Sequence, residues 1–170
     1  HSLFLQYDGT VWACGDGLYG QIGDGFNLDQ KIIVPAGLDS IVAISAGGKH
    51  SMALTVDGRV YTWGDNTYGQ LGTGYPTPSN VPKLIPGLTN VVAISAGDHH
   101  SMALLSNGRV ITWGDNSFGQ IGNGVVGGIQ SSFAAVTGAD SVVVISAGLD
   151  ASYAIKANGT VLAWGENGSG

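Results

Sequence analysis

The sequence predicts an all-β fold in which four-stranded sheets repeat around an axis, as the blades of a β-propeller do. Three observations predict it. A long motif recurs along the chain at a nearly constant spacing, and each copy contains Asp-Gly or Asn-Gly between two apolar runs. The apolar runs do not alternate with polar residues, which is typical of strands covered on both faces. Recurrence at this period is the signature of a repeat architecture.

Four copies of the motif set the domain organisation. They begin 49, 50 and 51 residues apart, at His1, His50, His100 and Ala151. The first three copies have equal length over the motif, so the length varies only in the second half of the repeat. We therefore predict a single partial propeller over residues 1–170, with repeats 1–49, 50–99 and 100–150 and a half repeat 151–170.

The first half of each repeat predicts a β-hairpin. In the second copy a strand over 51–56 is followed by Asp57-Gly58 and a second strand over 59–63. Asp-Gly or Asn-Gly between apolar runs indicates a two-residue hairpin, because a type I′ turn needs positive φ at both central residues. We predict four hairpins with type I′ turns, the other three at Asp8-Gly9, Asn107-Gly108 and Asn158-Gly159.

The second half of each repeat predicts one weak and one strong strand. The weak strand lies near 81–85, with prolines in or beside it, as expected of an outer edge strand that can spare a ladder donor; its counterparts lie at 32–34 and 133–136. The strong strand carries Ile-Ser-Ala-Gly and spans 41–47, 91–97 and 142–148. Each full repeat thus supplies the strands of one blade.

Taken in order, these motifs resemble the repeat of the regulator of chromosome condensation family. They read Ile-Ser-Ala-Gly-x-x-His-Ser-x-Ala-Leu, then Asp-Gly-x-Val-x-x-Trp-Gly, then Asn-x-x-Gly-Gln-Leu-Gly. The resemblance implies a propeller, usually of about seven blades. The departures are local: Ala151 replaces the repeat histidine, and Cys14 stands where the other copies have Trp63, Trp113 and Trp164.

Three blades plus one hairpin make an incomplete ring. An open half-ring exposes the face of a terminal blade and an unpaired strand edge. We therefore expect the chain to be a fragment of a longer polypeptide whose remaining blades are its partner. Self-association of two chains to close the ring is the alternative, although two copies bring eight hairpins and six second halves, which does not match seven regular blades.

Composition excludes several function classes. The net charge is -6 and Lys and Arg together number 6, so a nucleic-acid partner, which needs clustered basic residues, is not expected. Cys14 is the only cysteine, so the chain forms no internal disulfide. No apolar run approaches the roughly 20 residues of a membrane helix, so we predict no membrane span. Scarce lysine with abundant Gly, Ser, Thr and Asn favours an extracellular or cell-surface setting.

The residues that suggest chemistry recur once per repeat, which favours an architectural role. The glycine-rich loop over 64–72 lacks the Gly-Lys-Ser/Thr ending of a phosphate-binding loop. The repeated histidines and carboxylates are rotated apart on successive blades, and zinc needs three or four ligands at one point. We predict structural histidines that tie adjacent strands, and carboxylates that accept N–H groups of their own turns. We therefore expect no catalytic residue, cofactor or metal; the residues concerned are His1, His50, His100, Asp16, Asp65, Asp115 and Glu166.

Specificity is expected where the repeats disagree. The loop before each first strand varies in sequence, and the loop after each second strand carries an aromatic residue, a type that often anchors interfaces. The alternative for the aromatic is packing onto its own turn. The candidate interaction loops contain Lys49, Asp98, His99, Leu149, Asp150, Tyr19, Tyr68 and Phe118.

Three functions remain open at this point. The first is a non-catalytic scaffold that binds another protein through loops on one face. The second, implied by the resemblance, is guanine nucleotide exchange on a Ran-like GTPase. The third is a structural repeat of a secreted or cell-surface bacterial protein.

Overall fold

The computed structural model describes residues 1–168 and is built from strands, turns and loops. There is no helix in this part of the chain, and hence none that could span a membrane. The strands are β1 (Ser2–Leu5), β2 (Val11–Gly15), β3 (Gln30–Pro35), β4 (Ile41–Ala46), β5 (His50–Thr55), β6 (Val60–Gly64), β7 (Ser79–Leu84), β8 (Val91–Ala96), β9 (His100–Leu105), β10 (Val110–Asp115), β11 (Ile129–Ala135), β12 (Val142–Ala147), β13 (Ala151–Lys156) and β14 (Val161–Gly165).

Four antiparallel sheets follow one another along the chain. The first sheet is β1-β2-β3, the second β4-β5-β6-β7, the third β8-β9-β10-β11 and the fourth β12-β13-β14. The proline-bearing strands β3 and β7 are outer edge strands, as predicted. Consecutive sheets pack against each other mainly through their inner strands, with β4 next to β8 and β8 next to β12.

The sheets recur with the same period as the sequence repeat, but each sheet begins one strand before the sequence repeat begins. The Ile-Ser-Ala-Gly strand β4 pairs with β5 of the next repeat, Ala46 opposite Ser51. A four-stranded sheet therefore takes its innermost strand from one repeat and three strands from the next. The first described sheet has no such inner strand, and the fourth has no described outer strand. Blades of four strands are confirmed in the second and third sheets.

The predicted hairpins form, but the type I′ turn was wrong. The N–H of Gly58 donates to the carbonyl of Thr55 (3.0 Å), and the N–H of Thr55 donates to the carbonyl of Arg59 (2.9 Å). Gly58 has φ +77°, whereas Asp57 is not among the residues with positive φ. The loop is thus a three-residue connection with glycine in the left-handed region. Asp57 can keep negative φ because the glycine alone supplies the reversal.

The core lies between the sheets. Between the second and third sheets, Met52, Leu54 and Val60 pack against Ile111 and Trp113. Equivalent clusters join the first sheet to the second and the third to the fourth. The strands β5, β9 and β10 are almost completely buried, because each of these sheets has a neighbour on both faces.

The outer faces of the end sheets carry exposed apolar side chains. Phe4 is 46% exposed on the first sheet; on the fourth, Tyr153 is 44% and Val161 65% exposed. None of these three belongs to a core cluster of the described residues. We predict that further blades of the same polypeptide cover these side chains, with a second copy of the chain as the alternative.

Candidate interaction face

Strand connections divide the molecule into two faces. His50 pairs with Gly64 at one end of the β5-β6 hairpin, and Leu54 pairs with Val60 at the other. The β4-β5 turn and the β6-β7 loop therefore emerge together, and the same holds in the neighbouring sheets. We call this side the loop face. The hairpin turns and the connections between sheets lie on the opposite side, the hairpin face.

The loops that follow β2, β6 and β10 each contain a carboxylate that accepts hydrogen bonds from its own loop. Asp65 Oδ1 accepts hydrogen bonds from the N–H (3.1 Å) and the hydroxyl (2.7 Å) of Thr67, and Oδ2 accepts one from Gln70 Nε2 (3.2 Å). Asp115 makes the equivalent bonds in the next sheet. The prediction that carboxylates accept N–H groups of their own turns is confirmed for Asp16, Asp65 and Asp115, and for Glu166 it stays a prediction.

A repeated set of hydrogen bonds, the inter-sheet clamp, joins the second sheet to the third. The carbonyl oxygen of Gln70 accepts bonds from Ser101 Oγ (2.8 Å) and Trp113 Nε1 (2.8 Å). His50 Nε2 lies 2.9 Å from Ser101 Oγ. The prediction that the histidines tie adjacent strands needs correction, because the bond crosses between sheets. The clamp recurs around the carbonyls of Gln21 and Gln120.

The clamp fixes the tautomer of its histidine. Ser101 uses its proton toward Gln70, so His50 Nε2 must carry hydrogen and donate to Ser101. His50 Nδ1 is buried without a partner. Burial lowers the pKa of His50 to about 3, and burial likewise lowers the pKa of His100 to about 4. Both imidazoles are neutral and structural at neutral pH.

Gly72 gives a direct test of how tightly the clamp is packed. A Cβ added at Gly72 would lie 2.8 Å from Trp113 Nε1, and the residue has φ +66°. We expect Gly72→Ala to lower the free energy of unfolding by about 2–4 kcal/mol, because crowding of the indole adds to the cost of positive φ. Urea denaturation followed by circular dichroism measures this loss.

Gly74 provides the matched control. It has φ +82°, yet a Cβ added there would meet no atom within 4 Å. Gly74→Ala should therefore cost only the backbone term of about 1–2 kcal/mol. Equal losses in the two variants would show that the Trp113 contact contributes nothing to the effect.

Two of the three candidate aromatic residues on the loop face, Tyr19 and Tyr68, contact the variable turn of the next sheet. Lys49 Nζ lies 4.1 Å from the centre of the Tyr19 ring. The rings of Tyr68 and His99 are 4.6 Å apart at an angle of 60°. The alternative that each aromatic packs only on its own turn does not describe these two pairs. Two sets of candidate residues thus meet across the boundary between sheets.

The second and third variable turns carry the acids Asp98 and Asp150. Asp98 Oδ2 lies 3.2 Å from His99 Nδ1. Burial raises the pKa of Asp150, and repulsion from Asp98, Asp115 and Glu166 raises it further. The N–H of Glu166 donates to the carbonyl of Asp150 at 2.9 Å. The third variable turn thus presents an acid at the position where the first has Lys49.

The remaining candidates complete the surface. Phe118 is 48% and Leu149 75% exposed. The carbonyl of Leu149 accepts a bond from the N–H of Asp98 (3.0 Å), so successive turns support one another. They surround a shallow cavity of about 370 Å³ lined by Ala46, Gly47, Gly48, Ala96, Gly97, Asp98, Ala147, Gly148 and Leu149.

Sequence reasoning identified the aromatic and variable positions separately and missed their pairing. It also missed the glutamine carbonyls at the centre of the clamp, since a main-chain acceptor leaves no trace in residue type. The recurring Gly-Gln dipeptide was the available signal. Among the described residues, no group of three or more His, Cys, Asp or Glu side chains is placed to hold a metal ion.

Stacked antiparallel sheets joined by one repeated clamp define this molecule as a β-propeller repeat protein. The model of the regulator of chromosome condensation (RCC1) repeat matches residues 8–54 and 57–104, more than half of the chain. A second model of the same repeat matches 41–70, 91–120 and 142–170. The chain belongs to the RCC1 repeat family. No curated protein matches it by sequence comparison.

Solved propellers confirm the architecture. Yeast RCC1 (Prp20), crystallised with Kap60, is 27% identical with a TM-score of 0.84, and 96% of this chain aligns with 41% of that one. A second structure, Prp20p from Saccharomyces cerevisiae, gives 28% identity and a TM-score of 0.81 over 96% and 42% of the two chains. Human WBSCR16 shares the fold at 22% identity and a TM-score of 0.84, over 96% and 44%. The chain thus spans less than half the length of these propellers.

Proposed function

We propose that this chain is a non-catalytic scaffold that binds another protein through its loop face. The observation that carries the proposal is the pairing of Tyr19 with Lys49 and of Tyr68 with His99 across sheet boundaries. Half-exposed aromatic side chains on rigid loops supply contact area at a low entropic cost, which suits an interface anchor.

The hydrogen bonding of the repeated polar groups supports a non-catalytic role. Asp65, Asp115 and Ser101 are engaged in bonds that hold the loops and the clamp. A catalytic base or nucleophile needs a free atom within reach of a substrate. Each of these groups instead serves the architecture, and each recurs in the same role in a second sheet.

Photo-crosslinking tests the binding role. A benzophenone amino acid is placed at position 68 or 118 on the loop face, and at Val56, which is 74% exposed on the hairpin face. In an extract of the source organism, we expect one discrete crosslinked protein from positions 68 and 118 and none from position 56. A Tyr68→Ser, Phe118→Ser double variant should no longer recover that protein, whereas Val56→Ser should.

Two results would contradict this proposal. One is crosslinking from position 56 alone, and the other is undiminished recovery of the crosslinked protein by the double variant. Equal melting temperatures of the double variant and Val56→Ser would show that both retain the fold. The comparison then reports on the surface alone.

A second candidate function rests on the likeness to Prp20p, whose structure was described together with its binding to Gsp1p and histones. Guanine nucleotide exchange on a Ran-like GTPase would make this chain a regulator of that partner. The assay is release of a fluorescent guanine nucleotide from a Ran-like GTPase with and without the chain. A release rate that does not change with chain concentration removes this candidate.

A further inference from the structure

The loop face has three equivalent corners, and in two of them a side chain of the next sheet contacts an aromatic ring. Each corner combines the aromatic of one sheet with the second residue of the following variable turn. The first corner contains Tyr19 and Lys49, and the second contains Tyr68 and His99. The third contains Phe118 and Asp150 at the equivalent positions: the carbonyls of Lys49, His99 and Asp150 each accept a bond of 2.9 Å from the N–H of the acid at the start of the loop in their own sheet. The third corner alone pairs an aromatic position with an acid.

The first corner shows what this geometry can bind. Lys49 Nζ lies 4.1 Å from the Tyr19 ring centre, within the range of a favourable cation–π contact. The Tyr19 side chain raises the pKa of Lys49 most, and the carboxylates of Asp65 and Asp16 raise it further. An aromatic ring and nearby repeat carboxylates thus hold a cation supplied by the chain itself.

The third corner has the same ring and carboxylate positions without a cation from the described chain. Phe118 is 48% exposed, more than Tyr19 at 41% or Tyr68 at 36%. The N–H of Glu166 donates to the carbonyl of Asp150 at 2.9 Å. Burial raises the pKa of Asp150, the charges of Asp98, Asp115 and Glu166 raise it further, and His99 lowers it. Repulsion among these carboxylates would be relieved by a positive charge, and relief of repulsion favours binding of a cation.

We propose that the third corner binds a lysine or arginine side chain of a partner protein, held over Phe118 and against Asp150 and its acidic neighbours. Arginine fits best, because its planar guanidinium can stack on the ring while donating to a carboxylate. The proposal rests on the scaffold function above, and it adds the chemistry that the partner must present. A partner segment with spaced basic residues fits this face.

The probe is a fluorescein-labelled peptide of alternating arginine and glycine, with a citrulline peptide as the neutral control. Fluorescence anisotropy measures the dissociation constant of each peptide for the whole chain at about 50 mM salt, where exposed charges are weakly screened. We expect the arginine peptide to bind at least about tenfold more tightly than the citrulline peptide, which corresponds to about 1.4 kcal/mol. Equal binding of both peptides would overturn the proposal.

Asp150→Lys is the sharpest variant, because it places a lysine at the position that Lys49 holds in the first corner. The new lysine should occupy the corner and weaken peptide binding by about tenfold or more. Asp39→Lys changes the net charge equally but lies in the β3-β4 connection on the hairpin face, where Asp39 is exposed. That variant should change the dissociation constant by less than about twofold.

Phe118→Leu tests whether binding depends on the aromatic ring or only on the size of the apolar side chain. Leucine keeps an apolar side chain but lacks the aromatic quadrupole, so binding should weaken by about threefold or more. Equal weakening by Asp39→Lys and Asp150→Lys would show that only overall charge matters and would overturn the site. A failed peptide test would leave the crosslink from position 68, which lies outside this site, as a separate test of the scaffold proposal, so the two proposals fail separately.

Discussion

Replacement of Trp113 by alanine is expected to lower the free energy of unfolding by about 3–5 kcal/mol. Trp113 is completely buried between the second and third sheets, where it packs on Met52 and Leu54. Its Nε1 donates to the Gln70 carbonyl at 2.8 Å. Truncation to alanine removes the packing and the hydrogen bond together. Urea denaturation followed by circular dichroism gives the loss.

Two further tryptophan variants divide this effect into its parts. Trp113→Phe keeps most of the packing and loses the indole N–H, so we expect a cost of about 1–2 kcal/mol. Trp12→Ala is the matched control. Trp12 is half-buried on the first sheet, and its Nε1 donates to Thr10 Oγ1 of the same sheet at 3.3 Å.

Because Trp12 holds no described sheets together, its loss should cost no more than about 2 kcal/mol. Equal destabilisation by Trp12→Ala and Trp113→Ala would mean that the inter-sheet position has no special energetic role. A larger loss at Trp113 would place the dominant stabilisation at the contacts between blades, as nearest-neighbour coupling in repeat proteins requires.

The hairpins could be predicted from the sequence, whereas the turn type and the phase of the sheets could not. The pair Asp57-Gly58 marks a reversal with a glycine at positive φ, and that requirement is local. The conformation of Asp57 depends on how many residues the loop contains, which the dipeptide does not determine. The sequence over 41–46 predicts a strand whichever sheet that strand joins. Its pairing with β5 depends on tertiary packing. The order of residues therefore assigns this strand to the end of one repeat, whereas in the structure it joins the sheet of the next.

The candidate site shows the same division between local and long-range information. In the sequence, Tyr19 is visible as the aromatic residue of its repeat, and Lys49 as a position where the repeats differ. Their contact joins the loop of one sheet to the turn of the next, and no periodicity states which neighbour a loop faces. Repetition did identify the architectural groups correctly, because a side chain required at every interface must recur at every repeat.

Acidification is expected to destabilise the chain steeply through its clamp histidines. The pKa of His50 is lowered to about 3 and that of His100 to about 4, in both cases chiefly by burial. An unfolded histidine titrates near pH 6.5, so below that pH the unfolded state binds more protons than the folded state. The stabilisation is therefore complete above about pH 6.5 and is lost as the pH falls toward the folded values.

The expected size follows from the same linkage. Each histidine contributes a slope of about 1.4 kcal/mol per pH unit between about pH 6 and pH 4, so the two together contribute about 3 kcal/mol per unit. Measurement of the free energy of unfolding at intervals from pH 7 to pH 4 gives the slope. Carboxylates add their own titration at the acidic end, which makes the interval above about pH 5 the most informative.

A His50→Gln, His100→Gln double variant isolates the histidine contribution. Glutamine can still donate an N–H toward Ser101 or Ser152 but has no proton to gain, so the variant should lose the steep slope while carboxylate effects cancel in the comparison. The variant should be less stable than the natural chain at pH 7 because the amide fills the site less well. Its disadvantage should shrink as the pH falls, because only in the natural chain do these two imidazoles take up protons on unfolding, which favours the unfolded state at low pH. Parallel pH profiles for the two proteins would contradict the assignment of His50 and His100 as buried neutral donors of the clamp.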